Sequence, residues 1–154
     1  MSNINLSASV VDYYHDFSNL RIFSGRKYEN INSLIFNFDH CNNLIDLDIS
    51  LNGIEFINEE SFKNLKSLQY FSLYHNILSF VPFLIQLSAL TDLSISYNNL
   101  TNITSDIISN LGNLKRLNLH GNRIATIASD AFMNLRMLGK LDLEENHLTI
   151  LSAR

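Results

Sequence analysis

Residues 90–100 read LTDLSISYNNL, with apolar residues at Leu90, Leu93, Ile95 and Leu100 and an asparagine at Asn98. The same text returns four more times. It runs LIDLDISLNGI from Leu44, LQYFSLYHNIL from Leu68, LKRLNLHGNRI from Leu114 and LGKLDLEENHL from Leu138. The five starting leucines are separated by 24, 22, 24 and 24 residues, and a further apolar residue recurs at Ile57, Val81, Ile103, Ile127 and Leu151. Self-similarity at a period of 20 to 50 residues is the signature of a stacked repeat architecture, in which each unit buries its apolar face only against its neighbours.

Within each unit the two central apolar residues are two positions apart, so on an extended strand they point to one face while their neighbours point to the other. One face builds a core and the other looks outward. Asn52, Asn76, Asn98, Asn122 and Asn146 fall where the chain turns away from that strand, where a side-chain amide can satisfy backbone groups that would otherwise be buried unpaired; these five are read as structural residues. Ahead of each new unit stands an apolar-x-x-apolar-x-x-Leu lead: Phe38, Cys41, Leu44; Phe62, Leu65, Leu68; Leu84, Leu87, Leu90; Ile108, Leu111, Leu114; Phe132, Leu135, Leu138. Cys41 stands where later units carry Leu and is read as a small buried core residue.

The pattern L-x-x-L-x-L-x-x-N-x-L resembles the leucine-rich-repeat family. Ser61-Phe62 and Ala131-Phe132 look like its 24-residue "typical" subclass, and the 22-residue unit with Val81-Pro82 looks more like the intracellular one. The resemblance implies an α/β solenoid: a right-handed leucine-rich-repeat superhelix with a concave parallel β-sheet and an irregular, short-helical convex side. Its repeats are expected at 44–67, 68–89, 90–113 and 114–137, with a partial unit at 138–154. Counting 24 residues back from Leu44 reaches Leu20 and suggests a degenerate repeat over 20–43, where Gly25 and Tyr28 replace the strand leucine and the asparagine. The repeat domain thus spans 20–154. Residues 1–19 are expected to form a capping segment, helical because Val10, Val11, Tyr14 and Phe17 share one side at helical spacing behind Ser9.

Variable positions of the strands carry the candidate site. The outward row two residues past each starting leucine reads Asp46, Tyr70, Asp92, Arg116, Lys140; six past it reads Ser50, Tyr74, Ser96, His120, Glu144; seven past it reads Leu51, His75, Tyr97, Gly121, Glu145. Tyr70, Tyr74, His75 and Tyr97 gather over two adjacent repeats, with Asp92, Arg116 and His120 beside them. Tyrosine and arginine are enriched in interface hot spots because they bury area while keeping a hydrogen-bonding tip. Those seven residues are the expected contact site for a protein or peptide partner. Asp92 and Arg116, side by side across strands, are also placed to pair with each other.

Catalytic and metal chemistry are expected to be absent. Ser96, His120 and Glu144 lie in one row, but parallel side chains about 4.8 Å apart do not converge to the contacts that a relay needs. His75 and His120 stand two repeats apart, roughly 10 Å at strand spacing, too far to share an ion with ~2 Å bonds. No cofactor is expected. Asp142, Glu144 and Glu145 are read as a solvated acidic edge.

A net charge of −4 and a pI near 5.6 give no electrostatic footprint for nucleic acid. No stretch reaches the ~18 uninterrupted apolar residues of a membrane span, and the opening MSNINLSASVVDYY lacks the basic and apolar regions of a secretory leader. With Cys41 alone and no paired-cysteine cap, a cytoplasmic setting is expected; an extracellular one is the alternative if the chain is a fragment of a receptor ectodomain. The sequons at Asn5, Asn99 and Asn102 are no more than chance supplies. The function expected is a protein-binding module, adaptor, scaffold or recognition element, presenting its concave sheet to a partner, rather than an enzyme. Two further readings stand beside it: the receptor fragment, and a substrate-recruiting part of a larger enzyme. Self-association is expected through a C-terminal edge where Leu141, Leu143, Leu148 and Leu151 would lack a cap.

Overall fold

Leu44, Leu47, Ile49 and Ile54 are sealed from solvent, and so are their counterparts Leu68, Phe71, Leu73 and Leu78, Leu90, Leu93, Ile95 and Leu100, and Leu114, Leu117, Leu119 and Ile124. Four successive units therefore contribute the same four positions to one continuous core. The computed structural model describes residues 3–5, 21–24, 33–34, 38, 40–81 and 84–149.

Eleven short strands lie within those residues: β1 (Asn3–Asn5), β2 (Ile22–Ser24), β3 (Ser33–Leu34), β4 (Asp46–Asp48), β5 (Phe56–Ile57), β6 (Tyr70–Ser72), β7 (Asp92–Ser94), β8 (Asn102–Ile103), β9 (Arg116–Asn118), β10 (Thr126–Ile127) and β11 (Lys140–Asp142). Seven of them form one parallel sheet in the order β1-β2-β4-β6-β7-β9-β11. Their register puts Asn3, Ile22, Asp46, Tyr70, Asp92, Arg116 and Lys140 in a single row. Parallel strands need a crossover between them, and from β4 onward that crossover is the outer half of a repeat. The segments that begin at 44, 68, 90, 114 and 138 are successive rungs of one ladder.

Two strands of the main sheet precede the regular repeats. Ile22–Ser24 pairs in register with Asp46–Asp48, the place reached by counting 24 back from Leu44, although Gly25 and Tyr28 break the motif. Residues 1–19, expected as a cap, contribute β1, which adds a further parallel strand to β2. The helical spacing of Val10, Val11, Tyr14 and Phe17 lies outside the described residues.

The lead of each unit is explained by its hydrogen bonds. Cys41 N donates to Phe38 O and Leu44 N to Cys41 O; the same i to i−3 pair recurs at 62-65-68, 84-87-90, 108-111-114 and 132-135-138, all between 2.9 and 3.1 Å. Two linked turns of this kind place residues three apart on one side, as in a 3₁₀ helix, so an apolar residue at every third position reaches the core. Among the described residues, helical structure on this outer side is limited to the 3₁₀ turn Glu59–Phe62, where Asn58 Oδ1 accepts from Glu60 N at 3.0 Å, and the single α-turn Ser105–Ile108. Short parallel pairs β3–β5 and β8–β10 fill the same side. The 22-residue unit is two residues shorter and adds no strand there among the described residues; its Val81 is buried, and Pro82 lies outside them.

Cys41 occupies the leucine position of its lead and is 2% exposed. Burial pushes its thiol up to about 11, so it stays protonated and packs as an apolar group. Aromatic packing continues from it: Phe62 meets Phe71 edge-on at 5.1 Å and stacks on Phe38 at 6.4 Å.

The asparagines join each rung to the one before. Asn76 Oδ1 accepts from the backbone N–H groups of Asn52 and Ile54 in the preceding unit, while its Nδ2 donates to Ile49 O there and to Leu73 O in its own. Asn98 does the same for Leu78 N, Leu73 O and Ile95 O, and Asn122 for Leu100 N, Ile95 O and Leu119 O. Asn146 repeats the pattern with Ile124 N, Leu119 O and Leu143 O, less deeply buried. At the last rung Leu141 is 38% exposed and Leu143 and Leu148 are partly buried; Leu151 lies outside the described residues.

Replacing Asn98 by Ala strands Leu78 N and removes one partner from each of the Leu73 and Ile95 carbonyls. At roughly 1–3 kcal/mol per buried group left unsatisfied, the unfolding free energy from urea titration should fall by about 2 kcal/mol, and Asn146→Ala should cost less.

Candidate functional site

Each concave strand from β4 onward ends in a turn that needs a left-handed residue just before the asparagine. Leu51, His75, Tyr97 and Glu145 adopt φ between 53° and 62° there, and Gly121 has φ 65°. A side chain in this conformation swings out at the end of the strand, beside the residue that precedes it, so the rows six and seven past each starting leucine merge into one lip. Tyr74, His75, Tyr97 and His120 meet on it. Tyr74 packs edge-on against Tyr97 at 5.6 Å and against His75 at 5.7 Å, and the His75 ring stacks on Tyr97 at 6.4 Å with 25° between planes. Tyr97 then leans on the His120 ring at 5.0 Å and shares a hydrogen bond of 2.9 Å between its hydroxyl and Nε2.

Gly121 makes this contact possible. A Cβ at that position would stand 2.9 Å from Tyr97 Cδ1 and 3.0 Å from Cε1, so the tyrosine ring lies directly over the glycine backbone. Beneath the rings the surface is closed by small hydroxyls: Ser50 Oγ and Ser72 Oγ are 2.7 Å apart, and Ser94 Oγ and Ser96 Oγ 3.0 Å. Ser96 thus engages Ser94, while the His120 ring is taken up by Tyr97 and by carboxylates. Glu145 Oε2 lies 3.3 Å from Nε2 and Asp142 Oδ1 3.7 Å from Nδ1. Partial burial pushes the Tyr97 hydroxyl above its usual range, and the charges of Glu145, Tyr74 and Asp142 add to the effect.

The other candidates sit at the opposite end of the strands. Arg116 Nε pairs with Asp92 Oδ1 across the β7–β9 register, and Thr91 Oγ1 donates to Asp92 Oδ2 at 2.8 Å. Tyr70 borders a hollow of about 170 Å³ with Asp92, Arg116 and Lys140. The seven residues singled out from the sequence therefore divide in two: an aromatic and imidazole lip of Tyr74, His75, Tyr97 and His120, and an ionic base of Tyr70, Asp92 and Arg116. At a rise of about 3.3 Å per residue, four residues of strand separate them. Further along, Asp46 and Asp48 lie two apart on β4; burial first, and the Asp48 charge second, raise the Asp46 carboxyl above its usual range.

Gly121, Glu145 and Asp142 are members of the lip that sequence reasoning left out of the site. The signal for Gly121 and Glu145 was the row seven past each leucine, where Gly121 stands between Tyr97 and Glu145; Asp142 lies four past Leu138 and joins the lip through the His120 ring, 3.7 Å from Nδ1. His120, Asp142 and Glu144 can turn one donor atom each to within 4.8 Å of the others. A divalent ion holds its ligand atoms about 3 Å apart around bonds near 2 Å, so these side chains would have to close in to receive one.

The leucine rich repeat family model matches residues 88–148, the stretch that holds three rungs of the lip. Those residues are leucine-rich repeats, and the fold as a whole is that of a leucine-rich-repeat solenoid. It is 33% identical over 97 residues to Tsukushi of Gallus gallus, an alignment that covers 62% of this chain and 26% of that protein. Its fold is similar to a chain from the structure of the Toll–Spätzle complex, a molecular hub in Drosophila development and innate immunity. The TM-score is 0.77 at 27% identity, with 95% of this chain and 20% of that one covered. This leucine-rich-repeat chain thus spans about a quarter of the length of one relative and a fifth of the other.

Gly121→Ala should force Tyr97 off the His120 ring and place an L-residue in left-handed backbone, a strain of about 1–2 kcal/mol. The measurable outcome is a lower melting temperature together with loss of the Tyr97–His120 ring contacts in NMR spectra; a variant that keeps both would show that the glycine does not set the lip.

Proposed function

We propose that this chain belongs to an extracellular recognition protein and holds a protein partner on the lip of its concave sheet, through Tyr74, His75, Tyr97 and His120. The observation that carries the reading is that Tyr74 and Tyr97, 37% and 42% exposed, are already locked in ring-to-ring contact. Large amphipathic rings that are preassembled lose little side-chain entropy when a partner covers them, and such residues dominate interface energetics. A domain of leucine-rich repeats generally mediates protein–protein interaction, which supports the partner class. Both relatives point outside the cell, which favours the extracellular alternative over the cytoplasmic setting expected from the sequence. That expectation rested on a missing leader and an unpaired cysteine, and a chain that covers a quarter of its relative carries no information on either point.

The test is capture of extracellular protein domains from an array by the chain and by its Tyr74→Ala/Tyr97→Ala variant, with circular dichroism confirming that both are folded. Losing two central aromatic anchors should weaken the captured complex by roughly tenfold or more. Equal binding by the two proteins would move the contact site off this lip.

A further inference from the structure

We infer that the lip is built to receive a cationic side chain, an arginine presented by the protein partner, seated on the Tyr97 ring and held by the carboxylates of the last rung. The inference rests on the concave-face reading above and names the chemistry of what binds there. Three observations carry it.

The first is the shape of the aromatic cluster. Tyr74 and Tyr97 stand at 86° to each other and His75 runs nearly parallel to Tyr97, so the exposed rings make a corner rather than a flat plate. A guanidinium can lie against one ring face while the second ring flanks it, the geometry in which the aromatic quadrupole attracts a cation. Gly121 lets the Tyr97 ring settle against the backbone of the next rung, which fixes the orientation of the corner.

The second is the distribution of charge on the concave face. Asp142, Glu144 and Glu145 all belong to the last rung, and Glu144 and Glu145 are exposed. Glu145 and Asp142 reach the two nitrogens of the same imidazole that bonds the Tyr97 hydroxyl. Their charges also help to raise that hydroxyl out of its usual range, which places negative potential over this ring. The cations of the concave strands stand at the far end: Lys140 and Arg116 lie in the row two past the leucines, and Arg116 is committed to Asp92. An acidic partner segment would meet unpaired repulsion at the lip, whereas an arginine meets both an aromatic face and a carboxylate that its planar fork can bind through two N–H groups.

The third is the groove that leads to the lip. An open trough of about 510 Å³ runs along the turns, lined by Leu51, Gly53, His75, Tyr97, Asn99 and Gly121 among others, and no formal charge lines it. Its neutral walls suit the backbone of an extended segment, and its end at Tyr97 and Gly121 delivers a side chain to the acidic rung. An uncharged trough that ends at Gly121, one rung short of the three carboxylates, selects for one cation at a defined place, not for a generally basic surface.

Titration of the chain with the peptide acetyl-Gly-Gly-Arg-Gly-Gly-amide, in buffer containing EDTA and followed by NMR, tests this. Saturable shifts are expected at the Tyr97 and His120 rings. The same peptide with citrulline, which keeps the shape and loses the charge, should bind at least fivefold more weakly, and so should the arginine peptide to a Glu144→Gln/Glu145→Gln variant, whose changes touch only exposed side chains. Equal binding of citrulline and arginine peptides, or no shift at those rings, overturns the inference. So does a response of His120 to zinc chloride without EDTA combined with silence toward the arginine peptide, which would assign the carboxylates to a metal. If the Gln variant captures the extracellular partner as the wild type does while the Tyr74→Ala/Tyr97→Ala variant does not, the concave-face reading survives and the arginine receptor alone fails.

Discussion

A single asparagine amide per repeat binds two consecutive turns of this chain, and the rest of the structure depends on it. The oxygen of Asn76, Asn98 or Asn122 takes an N–H from the preceding unit, and the nitrogen gives hydrogens to a carbonyl of each unit. Asparagine is suited to the position because one side chain both accepts and donates without charge. Leucine packing alone would hold the units together without fixing their register, since apolar contact is roughly proportional to area and has no direction. The amides supply the direction, and every strand of the sheet then falls in line with its neighbour.

The concave surface inherits that register. Because each turn repeats, the residue before the asparagine always takes the left-handed conformation, and because the strands are aligned, those residues from successive units land beside one another. Leu51, His75 and Tyr97 accept the conformation as ordinary L-residues, at a cost offset by the buried asparagine bonds that follow. Gly121 accepts it freely, and Tyr97 fills the space that glycine leaves. The candidate contact residues are thus placed by the same turn that closes each rung, and the composition of the lip can change without disturbing the core. The face is also polarised, with the Asp92–Arg116 pair at one end of the strands and the aromatic rings with their carboxylates at the other.

Much of this was legible in the text. Leu90, Leu93 and Ile95 announce a strand with one buried face, and the 24- and 22-residue spacings announce a ladder, because burial and pairing act on local pattern. The seven candidate residues do share the concave face. Their separation by four residues of strand was already in the spacing, but the merging of rows six and seven into one lip could not be read, since it depends on φ at His75, Tyr97 and Gly121, a backbone property that only glycine hints at in sequence. The short outer strands at Phe56–Ile57 and Asn102–Ile103 were hidden for another reason: two residues are too few for any alternation to register. The strand at Asn3–Asn5 was missed because the segment was expected as a helical cap, although Ile4 falls in the same row as Phe23 and Leu47. The cellular setting was not legible, because a leader is a property of where a sequence starts, not of the fold that it encodes.

The account stands on the claim that the asparagine amides are held between turns, and hydrogen exchange at those side chains tests it most directly. NMR exchange measurements should find the Nδ2 hydrogens of Asn76, Asn98 and Asn122 protected to the same degree as the backbone amides of β6, β7 and β9, with the exposed Asn110 side chain exchanging freely. Fast exchange at all three, in a chain whose strand amides remain protected, would contradict the account.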